Sequence, residues 1–227
     1  MRNILHTLIL LCVLGLTQGY ASPSSAALNA SLSSIGSEES FEEIKALSEV
    51  REEYATSYVS HYKRYQATRE EYQYVEEKFK KENIPLFFSL IPYCESKFNP
   101  RARGSGTAGL WQFTVRSAKN FGLSVKKGKD ERLNINDSTD AAIRYIKSLK
   151  REFGSWYLAD FAYGMGEGKL RRLIEKHGSK KISVLLKDPH FPSGTKSHFA
   201  KTLLLDATIH HSKSKEEPTV RPEAVEG

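Results

Sequence analysis

Glu95 is the residue with the clearest chemical promise. It lies in the run Ile84-Pro85-Leu86-Phe87-Phe88-Ser89-Leu90-Ile91-Pro92-Tyr93-Cys94-Glu95-Ser96-Lys97-Phe98-Asn99-Pro100. Pro85 suits the first turn of a helix, where a missing N–H costs nothing. The Asn99-Pro100 pair predicts the stop, because the residue before proline is pushed out of the α region. Between them Phe87, Ile91 and Glu95 fall at i, i+4 and i+8, with Phe98 one turn on. An ionisable carboxyl is thereby placed on an apolar stripe near a helix C-terminus. Burial raises the pKa of a carboxyl, and the negative end of the helix dipole pushes the same way. A carboxyl held protonated near neutral pH is a general acid. A structural glutamate paired with Lys97 or an arginine would show the same spacing, so the pattern alone leaves the role open.

The other reactive residue types carry less. Cys94 is the one cysteine beyond the N-terminal segment, so it has no internal disulfide partner. Its neighbours are apolar and no histidine is close in sequence, which fits a small core residue. The histidines, His210-His211 included, lack metal-ligand spacing, and neither a metal nor a cofactor is expected. Gly164-x-Gly166-x-Gly168 lacks the preceding strand of a phosphate loop and reads as a helix break.

The elements that must position Glu95 follow from periodicity and breakers. Residues 1–21 read as a signal peptide: Arg2, an apolar core from Ile4 to Leu16, and the small-x-small site Gly19-Tyr20-Ala21. Residues 22–37, rich in Ser and Ala, read as a flexible linker. Residues 38–82 contain no Pro or Gly and form a helical extension, as one long helix or two. Its stripe runs through Phe41, Ile44, Leu47, Tyr54, Tyr58, Tyr62, Tyr65, Tyr72, Val75 and Phe79. That face is expected to pack on the domain. Residues 83–211 are the compact domain and residues 212–227 a disordered tail. Within the domain, helices are expected over 110–121, 140–153, 156–163, 169–176 and 196–211, with a Gly-rich loop over 101–109. A short β element is expected near 182–186. The fold class is all-α.

The chain has 227 residues, with 34 Lys plus Arg against 27 Asp plus Glu, a net charge of +7 and a pI near 9.2. That balance suits polyanions in general. The charge is spread evenly and no nucleic-acid motif accompanies it. The leader is too short to be read as a membrane span, so export without stable membrane insertion is expected.

Four blocks occur in order: Glu95-Ser96-x-Phe98-Asn99-Pro100, Gly109-Leu110-Trp111-Gln112-Phe113, Asp140-Ala141-Ala142-x-x-Tyr145 and Ala162-Tyr163-Gly164-Met165-Gly166-Glu167-Gly168. Their order and spacing resemble the soluble lytic transglycosylase family, nearest its membrane-bound type D branch, over about residues 84–201. The resemblance implies a lysozyme-like fold and cleavage of the β-1,4 bond between N-acetylmuramic acid and N-acetylglucosamine in the glycan strands of peptidoglycan. It implies a periplasmic or cell-wall location. By the same resemblance Glu95 acts as sole acid and base, leaving 1,6-anhydromuramyl ends. Gln112 would hydrogen-bond the substrate, Phe113 and Tyr145 would line the cleft, Tyr163 would approach the Glu95 carboxyl, and Ser105 would contact substrate from the loop.

The sequence also departs from the family pattern. Gly164 and Met165 stand where an Asn and a small residue are usual, Val115 stands in place of a Pro, and Pro192-Ser193-Gly194-Thr195 replaces a Glu-Thr segment. His198 falls where a Tyr is common, so the far wall of the cleft is expected to be rebuilt. Two other readings remain open at this stage: a goose-type-lysozyme-like hydrolase, and a non-catalytic peptidoglycan-binding module.

Overall fold

The computed structural model describes residues 23–48, 63–65 and 67–211, with the side chains of 69–72 left aside. The leader, the tyrosines at 54, 58 and 62, and the C-terminal tail lie outside the described residues.

Nearly every element that surrounds Glu95 is helical. In chain order these are α1 (Ser25–Ser34), α2 (Arg69–Lys81), a 3-10 helix (Leu86–Leu90), α3 (Ile91–Ser96), α4 (Val115–Asn120), α5 (Ile135–Phe153), α6 (Trp156–Met165), α7 (Glu167–His177), α8 (Ile182–Leu185) and α9 (Ser193–Asp206). A π-helical turn, Ala207–His211, extends α9. Two antiparallel ribbons complete the domain: β1 (Thr107–Ala108) with β2 (Phe113–Thr114), and β3 (Val125–Lys126) with β4 (Lys129–Asp130). The class is mainly α, as the sequence indicates.

Helix α6 is the central element. Leu158, Ala159, Asp160, Phe161, Ala162 and Met165 are all buried. Ser155 starts it by accepting a hydrogen bond from the Leu158 N–H at 3.4 Å. Helix α5 packs beside it through one apolar face, Ala141, Ala142, Tyr145, Ile146, Leu149 and Phe153. Asn134 caps α5 by accepting from the Asp137 N–H at 3.0 Å, so the helix starts five residues before the expected Asp140. Asp140 itself pairs with Lys78 of α2. Val75 and Phe79 of α2 are fully buried.

Several expectations need correction. Of the expected linker over 22–37, the described residues 23–37 pack into the domain. Ala27, Leu28, Ser31, Leu32 and Ile35 are buried at helical spacing, and α1 packs on α9 and the turn that follows it. Ser31 Oγ donates to Asp206 Oδ2 at 2.5 Å, and the Tyr157 N–H donates to the Ile35 carbonyl at 3.2 Å. Burying Leu28, Leu32 and Ile35 stabilises the docked helix by roughly 2 kcal/mol per side chain. The small residues that suggest flexibility are the ones that let this helix sit close to its neighbours. Glu39 also belongs to the domain: its carboxylate accepts from the N–H groups of Ile182 (2.5 Å) and Ser183 (3.2 Å) at the start of α8. The expected β element over 182–186 is therefore this short helix. The expected helix over 110–121 begins only at Val115, because 113–114 is spent pairing with β1.

Candidate active site

The chain around Glu95 changes backbone type three times in twelve residues. The 3-10 helix passes into α3 at Ile91, with Pro92 in the first turn. α3 ends at Ser96, three residues before the expected Asn99 stop. Lys97 (φ 56°) and Phe98 (φ 58°) are both left-handed, which sterics discourage for residues with a Cβ. Lys97 compensates by turning its ammonium back onto the helix end. Its Nζ donates to the carbonyls of Tyr93 at 3.0 Å and Cys94 at 3.4 Å and sits 4.6 Å from the Tyr93 ring centre. Lys97 is thereby occupied and is not the partner of Glu95. Glu95, the penultimate residue of α3, keeps 27% of its side chain exposed.

The first wall of the cleft is the loop between Ala102 and Thr114. Ser96 ties it to α3, its Oγ within hydrogen-bond distance of the Pro92 (2.9 Å) and Leu110 (2.8 Å) carbonyls. Trp111 is buried with 1% exposed, stacks on Phe79 at 5.6 Å and donates from its indole N–H to Thr139 Oγ1 at 3.1 Å. It packs beneath the site instead of stacking on a sugar. Gly109 is obligatory: with φ +84°, a Cβ there would lie 1.8 Å from the Arg132 carbonyl oxygen. Arg132, 6% exposed, donates to the Phe113 carbonyl at 3.1 Å and to both oxygens of Asp130, at 2.8 and 2.7 Å. The hydrogen bond from Arg132 holds the Asp130 carboxyl below its ordinary range.

Gln112 is left-handed (φ 48°) and is fixed by its own side chain. Its Oε1 accepts from Thr107 Oγ1 at 2.7 Å, and its Nε2 donates to Gly109 O at 2.7 Å and Ala102 O at 3.4 Å. An amide has two donor protons and two acceptor lone pairs. Both protons are used within the loop, so Gln112 faces the cleft only as an acceptor.

The second wall is the C-terminal half of α6 with α9. Tyr163 Oη donates to the Trp111 carbonyl at 2.6 Å and so joins the two walls. Burial raises the Tyr163 pKa well above the ordinary phenol value, and the nearby Glu95 charge adds to it. The Tyr163 ring lies 5.4 Å from Tyr145, which in turn contacts Phe121 at 4.6 Å and Phe113 at 6.3 Å. Gly164 makes room for Thr195: a Cβ at 164 would come within 3.0 Å of the Thr195 methyl and 3.2 Å of its hydroxyl. The missing side chain at 164 is thus replaced in space by one from α9.

Behind Glu95 lies a chain of charge. His198 Nδ1 is 3.2 Å from Glu95 Oε1, and His198 Nε2 is 3.7 Å from Asp160 Oδ1. His198 is 12% exposed and the Asp160 side chain is fully buried. Both Asp160 oxygens and His198 Nε2 lack a hydrogen-bond partner of good geometry. Burial favours neutral imidazole, but Asp160 and then Glu95 more than offset it and raise the His198 pKa well above its ordinary value.

A cleft of roughly 300 Å³ gathers Glu95, Gln112, Phe113, Tyr145 and Tyr163, five of the six residues singled out in the sequence. Ser105 is exposed on the loop and does not line it; Thr107 lines it instead. Asp160 and the role of His198 escape a reading of the sequence. The available signal was an aspartate inside the otherwise apolar run Trp156–Tyr163.

The fold and the cleft define the mainly helical, lysozyme-like class. Within it, the chain belongs to the transglycosylase SLT domain family, whose model matches residues 73–186. The chain is 33% identical over 136 residues to the membrane-bound lytic murein transglycosylase D of Escherichia coli (strain K12), covering 59% of this chain and 30% of that protein. It is 37% identical over 109 residues to a protein of Alteromonas sp. (strain M-1) named for tributyltin chloride resistance, covering 47% and 53%. It is 39% identical over 83 residues to the peptidoglycan transglycosylase gp16 of Escherichia phage T7, covering 35% and 6%. The chain thus spans less than a third of the Escherichia coli relative and about half of the Alteromonas one. Among the described residues no helix is long and apolar enough to cross a membrane.

Proposed function

We propose that this chain is an exported peptidoglycan lytic transglycosylase in which Glu95 serves first as acid and then as base. Glu95 protonates the glycosidic oxygen between N-acetylmuramic acid and N-acetylglucosamine, and the bond from that oxygen to the anomeric carbon breaks. The resulting carboxylate takes the proton of the muramic acid 6-hydroxyl as its oxygen bonds to the anomeric carbon. The proton returns to Glu95, no water is consumed, and the glycan ends in a 1,6-anhydro ring. The Tyr163 oxygen, with its proton committed to Trp111, can accept from the protonated carboxyl or face positive charge developing on the sugar. The leader-like run from Arg2 to Ala21 supports export to the periplasm.

The observation that carries this reading is that Glu95 is the one carboxylate among the described residues lining the cleft. A two-carboxylate glycosidase places a second acid about 5–5.5 Å or about 6.5–9.5 Å from the first, open to the sugar or to water. Asp160 lies behind His198 with its side chain fully buried, so it is open neither to the sugar nor to water. The test is mass spectrometry of peptidoglycan sacculi digested with the purified chain. Anhydromuramyl ends, lighter by one water than reducing ends, are expected. Reducing ends alone would indicate the goose-type hydrolase, and binding without any product a non-catalytic module.

A further inference from the structure

The Glu95–His198–Asp160 chain joins three helices, α3, α9 and α6, and buries two of its members. Isolated charge in such a place is expensive, and breaking one half of a buried pair costs more than never having made it. Asp160 has no hydrogen-bond partner, so the one cationic group within 4 Å of it among the described residues, His198, is what makes its burial tolerable. The same imidazole reaches Glu95 Oε1 with its other nitrogen. One ring therefore spans a buried carboxylate and the carboxyl that opens onto the cleft.

We propose that His198 is the positioning residue of Glu95: anchored by Asp160 in the core, it grips Oε1 and leaves Oε2 for the substrate. This rests on the reading of Glu95 as acid and base. The arrangement answers a problem of the short α3. The helix has six residues and is followed at once by two left-handed ones, so backbone alone holds the Glu95 rotamer poorly. It also removes a conflict of charge. A lone imidazolium beside Glu95 would favour the carboxylate and weaken the acid, whereas an imidazolium already neutralised by Asp160 gives direction with little net field. The titratable groups that face His198 are Glu95 and Cys94 from α3 and Asp160 from α6. Cys94 Sγ is 3.3 Å from Thr202 Oγ1 and packs on the same side of α9.

The test joins a titration to kinetics. In the full chain with carbon-13-labelled histidine, the His198 ring signal is assigned by its loss in His198→Gln. Its midpoint should lie above the ordinary value of about 6.5, and should fall in Asp160→Asn and again in Glu95→Gln. On sacculi, His198→Gln should lower kcat by about 100-fold, the scale of a misplaced catalytic group, with KM unchanged and a displaced pH–rate profile. If His198→Gln does not fold, Asp160→Asn, which keeps the shape, should lower kcat with the same unchanged KM. An identical midpoint in wild type, Asp160→Asn and Glu95→Gln overturns the proposal, as does a kcat in either His198→Gln or Asp160→Asn equal to that of wild type. Failure of the wild type to cleave sacculi would instead sink the transglycosylase reading. The titration would still decide whether the imidazole is coupled to Glu95.

Discussion

The two walls of the cleft are built on opposite principles. In the first, from Ala102 to Thr114 with Arg132 beneath it, the polar groups that shape the loop are matched: Gln112 to Thr107, Gly109 and Ala102, Arg132 to Asp130 and Phe113, Trp111 to Thr139. In the second, from Asp160 to Gly164 with Thr195 and His198, buried polar atoms are left without hydrogen bonds and a side chain is traded for glycine. A matched network is rigid and has one arrangement. In the second wall the charges are paired with each other but not fixed by hydrogen bonds, and the side chain they direct is Glu95. Glu95 sits where the walls meet, with Ser96 tied to one and His198 reaching it from the other.

The largest effect tests that meeting point. Glu95→Gln keeps the shape and removes the proton, and turnover of sacculi should fall by about 10²–10⁴-fold, the range for a general acid, with thermal stability nearly unchanged. A variant that still turns over would separate the chemistry from both walls. Arg132→Ala attacks the matched wall. Three charge-assisted hydrogen bonds go, and stability should drop by about 3 kcal/mol, read as a lower unfolding midpoint. A drop no larger than that of an exposed arginine would mean the wall is held by packing alone.

Acid and alkali should distinguish the walls further. Asp130 has its pKa lowered in the fold, chiefly by the hydrogen bond from Arg132. Its contribution is present above the unfolded carboxylate value and lost as pH falls through the folded one. His198 is raised, so its contribution is present below about 6.5 and lost as pH rises through its folded value. Hydrogen exchange should show backbone amides of the 102–114 loop loosening on the acid side and those of α9 on the alkaline side. The reverse order would break the comparison. The smallest effect is expected at Gly164→Ala. Thr195 must yield by a few tenths of an ångström, at a cost of about 1 kcal/mol, measurable by denaturant unfolding.

What the sequence made legible is local. The apolar face of α5 can be read from spacing, whereas the grouping of Glu95, Gln112, Tyr145 and Tyr163 in one cleft comes from the resemblance of the four blocks to a known family. The end of α3 could not, because Lys97 and Phe98 are left-handed without being glycine, and the usual signal is absent. The ribbons could not, since two residues per strand are too few to show alternation. Helix α1 was hidden by composition: Ser and Ala suggest flexibility until the burial of Leu28 and Leu32 gives them a partner. The link from Asp160 to His198 crosses from α6 to α9. No local pattern announces it, and a departure from the family at 198 is its one trace.

Helix α1 has a consequence in time as well as in space. The hydrogen bond from Ser31 to Asp206 joins residues 175 apart, and His210 Nδ1 lies 2.7 Å from the same carboxyl. Most of the seat of the first described helix is therefore missing until α9 and the turn after it exist. Contacts of such long separation close late and slow the search for the native state. As the chain emerges in order, Leu28, Leu32 and Ile35 must wait, uncovered, through almost the whole of synthesis. The domain is sealed by α9, and a chain cut short before residue 206 would leave α1 without most of its seat.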